Sequence, residues 1–278
     1  MNNLVRFINK ALLFILLLII TVFVLYPLVY VVSAAFSPGT SISDMAIIPF
    51  SRGVTTEHFA HLFKNTDYPR WFRNTLIIAV STSLLTVLVA SLAAYVFSRF
   101  YFTFKKSMML SLLVLQIFPS FVGMIAIYVI LYRIGGLDRL WGLVLVYLAG
   151  NIPYNTWLVK SYVDTVPISL DEAARLDGAN NLRIFFTIIL PVIKPILIFL
   201  AISSFVGPWM DFIFPKMVLR SSENQTLALG LFSFVTDRKN EFTNFAAGSV
   251  IVSVPFVIFF MVTQKMLVTA LGSAAVKE

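Results

Sequence analysis

Stretches free of charge recur along the chain at lengths that suit a lipid bilayer. Apolar runs cover about residues 11–36, 74–98, 107–132, 140–160, 186–210 and 242–264, each holding at most one charged side chain. A helix needs about 20 mainly apolar residues to cross the hydrocarbon. The pattern therefore predicts six transmembrane helices, with both termini on the same side. The first run resembles a secretory leader in being preceded by Arg6 and Lys10 and followed by VSAA. Its length is about twice the ~7–15 residues of a leader's apolar region, which predicts an uncleaved first helix.

Between the runs the polar segments are uneven. Residues 37–73 and 215–241 are long and mixed in charge, 98–106 is short, and 133–139 is a tight link with Gly135 and Gly136 at its turn. No tandem repeat or separate soluble domain interrupts the series, so residues 1–278 are expected to form a single membrane domain.

Composition agrees with the pattern. The chain is 59% hydrophobic and 12% charged, with 27 phenylalanines and a mean hydropathy of +0.90; globular chains are about 45–50% apolar and about 25% charged. The absence of cysteine excludes disulfides, thiolate catalysis and Cys-ligated metals. The two histidines, His58 and His61, fall in one outer loop and read as solvated surface, leaving no expected metal site. The net charge of +8 flanks the apolar runs, as suits membrane edges and anionic headgroups rather than nucleic acid. With the termini inside, Lys and Arg divide eleven to ten across the membrane, and the compact SRFYFTFKK loop favours the inside for its own face. Lys194 lies near one end of the fifth run; two readings stand, an intramembrane functional charge and a long stem reaching the headgroups.

One polar segment, about residues 166–186, is built differently. Pro167 ends the preceding helix. Ser169 and Glu172 have the spacing of a capping box, and Asp171 and Glu172 suit the positive end of the helix dipole. Gly178 suits a left-handed C-terminal cap. A helix of about two turns, residues 170–177, is predicted, with Ala173 and Ala174 side by side on one face. A second helix is expected to start at Asn180 or Asn181, a favoured N-cap type, and Pro191 and Pro195 to bend the fifth span. A lipid-lying helix would present Leu, Phe, Trp and Lys. A small-residue face flanked by carboxylates instead suits docking to a protein.

These residues carry a family resemblance. Glu172-Ala173-Ala174, Asp177-Gly178-Ala179 and Leu190-Pro191 resemble the EAA signature of ABC-importer permeases. LQIFP, VKSYVDTVPISLDEAARLDGA, LRSSENQTLALGL, NFAAGSVI and the tail LGSAAVKE resemble the MalG-like permeases of maltose/maltodextrin importers over most of the chain. The resemblance implies an all-α membrane protein with the type I importer (MetI-like) permease fold, multi-pass in the cytoplasmic or inner membrane, both termini cytoplasmic. It implies that Glu172, Ala173, Ala174, Arg175, Asp177 and Gly178 form a cytoplasmic coupling helix against an ATPase subunit. It implies as partners a second permease in a heterodimer, two cytoplasmic ABC ATPases, an extracytoplasmic sugar-binding protein and membrane lipid. ATP and Mg would belong to the ATPases, since no cofactor is expected here and the chain has no Walker A pattern. Ser221, Glu223, Asn224 and Gln225 are expected to meet the binding protein, and the tail from Gly272 to reach an ATPase.

A path for neutral, hydroxyl-rich sugars needs aromatic faces and amide partners. Gln116, Asn151, Tyr154 and Asn155 supply these at membrane depth, with Pro119 and Pro153 disrupting their helices; the other reading of these residues is interhelical hydrogen bonding. Asp211 reads either as a cavity-facing acid or as an interfacial one beside Trp209. The rival function is a stand-alone secondary sugar transporter. That class commonly uses intramembrane ionisable groups, and Lys194 is the only one deep in a span.

Overall fold

The computed structural model describes residues 2–117, 120–236 and 241–275. Pro119 and the side chains of the tail from Gly272 lie outside the described residues. Every regular element among them is helical. In chain order these are α1 (Asn2–Phe36), α2 (Glu57–Asn65), α3 (Tyr68–Arg99), α4 (Lys105–Ile117), α5 (Ser120–Arg133), α6 (Leu140–Val163) and α7 (Ser169–Leu176). They continue with α8 (Asn181–Ile184), a π-helical segment (Phe185–Ile189), α9 (Leu190–Val192), α10 (Lys194–Met210), α11 (Ile213–Val218), α12 (Leu227–Thr236) and α13 (Phe242–Ala275).

Two compact units are distinguished, residues 1–69 with 230–255 and residues 70–229 with 256–278. In the first, α1 leaves its whole apolar window exposed within the chain. His58 ties separate segments of this unit together. Its Nε2 lies 2.8 Å from the Ser37 carbonyl and its Nδ1 3.0 Å from Asn244 Oδ1. Thr243 Oγ1 donates to the Gly39 carbonyl at 2.9 Å, and Tyr68 Oη to the Gly248 carbonyl at 3.1 Å. The solvated reading of this histidine is therefore overturned: His58 is buried, and its ring meets polar groups that would otherwise lose hydrogen bonds on leaving water.

The second unit holds two apolar clusters. One gathers Ala90, Ala94 and Tyr95 of α3 with Val159 and Val163 of α6, Phe185, Ile189 and Leu200. The other gathers Ile78 of α3 with Leu131, Leu143, Phe214 and Val218. The alanines let neighbouring backbones approach closely, the usual device where lipid supplies no hydrophobic drive between helices. Trp157 Nε1 donates to the Met109 carbonyl at 3.0 Å, joining α6 to α4.

Among the described residues, three helices are long and apolar enough to cross a bilayer, or up to five if each bent pair counts as one span. Two expected spans depart from straight rods. The run at 107–132 is two helices, α4 and α5. The fifth breaks at Ile193, where Asn181–Val192 and Lys194–Met210 meet at 83°. Pro191 and Pro195 withdraw two N–H donors at that joint, and the π-helical turn just before it loosens the ladder further. The predicted bend is present, and Lys194 is exposed at the start of α10. In α6 the polar middle (Asn151, Pro153, Tyr154, Asn155, Thr156) lowers the hydropathy of a helix that is otherwise 24 residues long.

Glycine is required where the 134–142 turn closes. A Cβ on Gly142 would stand 2.2 Å from the Gly136 carbonyl oxygen, whereas one on Gly150 would meet nothing within 4 Å. Gly142→Ala should therefore destabilise the protein by about 1–3 kcal/mol. Gly150→Ala should be neutral or stabilising by up to about 1 kcal/mol. Thermal unfolding of the two variants in detergent compares them directly, and equal midpoints would contradict the packing described here.

Candidate functional site

One end of the second unit is organised around α7. Its start differs from the capping box expected at Ser169 and Glu172. Ile168 adopts a helical conformation as N-cap, and no side chain caps the helix. The Asp171 amide donates to the Ile168 carbonyl at 2.9 Å, and the Glu172 amide to the same oxygen at 3.1 Å. The turn that follows Pro167 thus satisfies these donors with backbone oxygens, so Ser169 becomes the first helical residue and Glu172 is freed. The end is as expected. Gly178 has φ +81°; its amide donates to the Arg175 carbonyl at 3.0 Å and that of Ala179 to the Ala174 carbonyl at 2.9 Å. Those two bonds are a Schellman closure. Asn180 Oδ1 then accepts the Arg183 amide at 2.8 Å, capping α8.

The faces of α7 are unequal. Glu172, Ala173, Arg175, Asp177 and Gly178 are exposed, and Leu176 is 90% exposed. Ala174 is 9% exposed and packs in the cluster of Tyr95, Val163, Ile184 and Phe185. The two alanines thus do not share an outer face; only Ala173 is available to a partner, because Ala174 supplies the close contact of α7 with its own chain.

Beneath Ala174 lies a polar anchor that the sequence pattern did not single out. Arg99, the last residue of α3, makes a 2.5 Å ion pair from Nε to Asp171 Oδ2, with the two side chains 4% and 0% exposed. The same guanidinium donates to the Val166 carbonyl at 2.8 Å. Next to it, Ser98 Oγ donates to Asp164 Oδ1 at 2.6 Å, and Lys160 Nζ reaches Asp164 Oδ2 at 2.6 Å. Burial pushes the Asp164 carboxyl up, but the Lys160 and Ser98 hydrogen bonds and the nearby lysine charges outweigh it, so its pKa falls below the ordinary carboxylate range. A lone arginine where a span ends, and an acid one residue before Glu172, were the available signals. Arg99 read as a membrane-edge charge and Asp171 as a helix-dipole partner.

At the opposite end of the unit, the segment 219–227 is held from below. Asn74 Nδ2 donates to the Glu223 and Gln225 carbonyls at 2.8 and 3.0 Å, and Thr75 Oγ1 accepts the Leu227 amide at 2.8 Å. Asp138, with φ +54°, accepts the Arg220 and Ser221 amides and the Ser221 hydroxyl at 2.9–3.0 Å. Asn224 Nδ2 donates to the Asp138 carbonyl at 2.6 Å, and the Arg220 guanidinium contacts Tyr128 Oη. Of the four residues expected to meet a binding protein, Ser221, Asn224 and Gln225 are half-buried and engaged within the chain, whereas Glu223 is exposed.

The four path residues separate in the same way. Gln116 is exposed and Tyr154 is 56% exposed, while Asn151 is half-buried. Asn155 is buried and donates to the Asn151 carbonyl at 2.8 Å, a bond within its own helix and not the interhelical bond of the alternative reading. Asp211 accepts from Tyr147 Oη at 2.8 Å and caps the amides of Ile213 and Phe214. It serves as a structural link between α6 and α11.

Residues 86–272 match the binding-protein-dependent transport system inner membrane component family, and this stretch contains α7 and its anchor. The chain belongs to that family. It is thus a transport subunit of the inner membrane rather than an enzyme, and the stand-alone secondary transporter is set aside. Among curated relatives, this permease is 39% identical to the maltodextrin transport system permease protein MdxG of Bacillus subtilis, over 98% of both chains. It is 37% identical to the galactooligosaccharides transport system permease protein GanQ of the same organism, over 98% of this chain and 97% of that one. It is 30% identical to the maltose/maltodextrin transport system permease protein MalG of Salmonella typhimurium, over 94% and 93%. Its fold resembles a chain in the crystal structure of a bacterial ABC transporter that imports the acidic polysaccharide alginate, with TM-score 0.80 at 21% identity, covering 93% of this permease and 96% of that chain.

The Asp138 site of the permease yields a pH prediction. Burial raises this carboxyl, but the hydrogen bonds from Arg220, Ser221 and Asn224 outweigh it and hold its pKa below the ordinary range. A depressed folded pKa contributes stability that is complete above the unfolded value and is lost as pH falls through the folded one. The melting difference between the permease and its Asp138→Asn variant should therefore be present at neutral pH and shrink below about pH 4. A difference that stays constant across that range would refute the assignment.

Proposed function

We propose that the chain is a six-span permease that carries maltodextrin or a related oligosaccharide across the cell membrane in a type I importer, with α7 as its cytoplasmic coupling helix. The observation that carries this reading is the division of α7 into a buried face anchored to its own chain and an exposed face that none of the described residues covers. Exposed Leu176 and Ala173 beside Glu172, Arg175 and Asp177 suit a cleft on another protein. Ile168 just before α7 and Leu182 in α8 are also exposed, at 56% and 63%. Large exposed apolar side chains ringed by charge mark protein interfaces.

In this reading residues 1–278 are one permease domain, and the apolar runs of α4–α5, α6 and α8–α10 complete the six spans alongside α1, α3 and α13. Both termini and residues 166–186 are then cytoplasmic. Glu172 meets a basic group on an ABC ATPase, Ala173 and Gly178 allow close approach, and Arg175 and Asp177 supply flanking polar contacts. Two such ATPases bind ATP and Mg, and a second permease completes the membrane part in a heterodimer. A sugar-loaded binding protein meets the outer surface at Glu223 and its neighbours. Gln116, Asn151 and Tyr154 line the path, with Asn155 holding the backbone of Asn151. The maltodextrin assignment is supported by the likeness to MdxG and MalG, and the likeness to GanQ makes galacto-oligosaccharide the competing cargo.

Reconstitution with the partner subunits tests both parts. Leu176→Glu and Glu172→Lys should lower sugar-stimulated ATP hydrolysis and uptake by about five-fold or more, the lower end of typical coupling energies. Wild-type rates in both variants would end the docking assignment. Uptake of labelled maltodextrin in preference to labelled galacto-oligosaccharide is expected, and the reverse preference would reassign the cargo.

A further inference from the structure

We infer that Arg99 and Asp171 are positioning residues that fix α7 to α3, making α3 the element through which the outer segment 219–227 and the coupling helix sense one another. This rests on the docking role proposed for α7.

Three observations converge. The first is the anchor itself. The side chains of Arg99 and Asp171 are almost wholly buried, and Arg99 also grips the Val166 carbonyl just before α7. Asp171 Oδ1 is nevertheless buried without a hydrogen-bond partner among the described residues. A buried ion pair that leaves one oxygen unsatisfied is a poor source of stability, and its attested use is to fix register. Removing either partner leaves a buried charge alone, so the two helices stay joined or come apart as a unit.

The second is continuity. From Tyr68 to Arg99 the helix runs 32 residues with no break and no glycine, its one proline being Pro69 in the first turn. At about 1.5 Å per residue that is about 48 Å of rigid rod. The routes through α4–α5 and α8–α10 are interrupted, the latter by an 83° bend. The third is that α3 is fastened at its other end as well. Asn74 holds the Glu223 and Gln225 carbonyls, and Thr75 holds the Leu227 amide. One rod therefore bears directly on α7 at one end and on 223–227 at the other. Rigid elements are among the carriers of energetic coupling between distant sites.

The test uses the complete importer in lipid, with purified sugar-loaded binding protein as the stimulus. Asp171→Asn keeps the shape of the anchor and removes its charge. It should leave ATPase copurification and basal hydrolysis near wild type while reducing binding-protein-stimulated hydrolysis by about five-fold or more. The exchange Arg99→Asp with Asp171→Arg should recover part of the stimulation. Unchanged stimulation in Asp171→Asn overturns the inference. So does loss of assembly in the single variant that the exchange fails to restore, because the pair then serves folding and not positioning. Leu176→Glu separates this from the docking proposal. If Leu176→Glu uncouples and Asp171→Asn does not, the anchor alone is wrong; if Leu176→Glu has no effect, the docking role falls first.

Discussion

Hydrocarbon offers no hydrogen bonds, and most of this structure follows from that constraint. Every backbone amide at membrane depth must be satisfied within the chain, which leaves helices as the solution for a sequence of this kind. Some polar side chains left inside those helices bond to carbonyls of the chain. Asn155 bonds back to Asn151 within its own helix, and Ser83 donates to the Ala201 carbonyl at 2.7 Å. Where an N–H is missing, at Pro191 and Pro195, the helix turns by 83°. The same constraint makes α3, whose single proline lies in its first turn, the longest uninterrupted element of the second unit.

Charge concentrates at the two ends of that unit and is handled differently at each. At the end near α7, Arg99, Asp171, Asp164 and Lys160 form two adjoining pairs, one buried and one exposed. At the opposite end a single carboxylate, Asp138, gathers two amides and a hydroxyl. The exposed Lys160–Asp164 pair contributes little by itself, since solvent screens it. The buried pair carries geometric information instead, because its directions cannot be satisfied in another register.

Much of the candidate site was legible from local rules. Gly178 closes α7 because a left-handed residue is needed there, and Asn180 caps α8 because its side chain reaches one free amide. The capping box failed because it competes with backbone: Ile168 entered the helix first and its carbonyl took the Asp171 and Glu172 amides. The outward pair of alanines failed because helical spacing places side chains on faces without saying which face a neighbouring span will cover. His58 failed for a related reason, since its partners Ser37 and Asn244 lie far from it in sequence.

The sequence by itself determined the class of protein, its all-helical character, the glycine closure of α7 and the family. These depend on composition, on period and on glycine, proline and asparagine acting within a few residues of themselves. Tertiary structure alone decided that Arg99 belongs with Asp171, 72 residues on, that Asn74 supports 223–225, and that Ala174 is spent on the chain's own core. Those choices follow from which helix ends meet in space, and desolvation then forces the charges that meet there to pair.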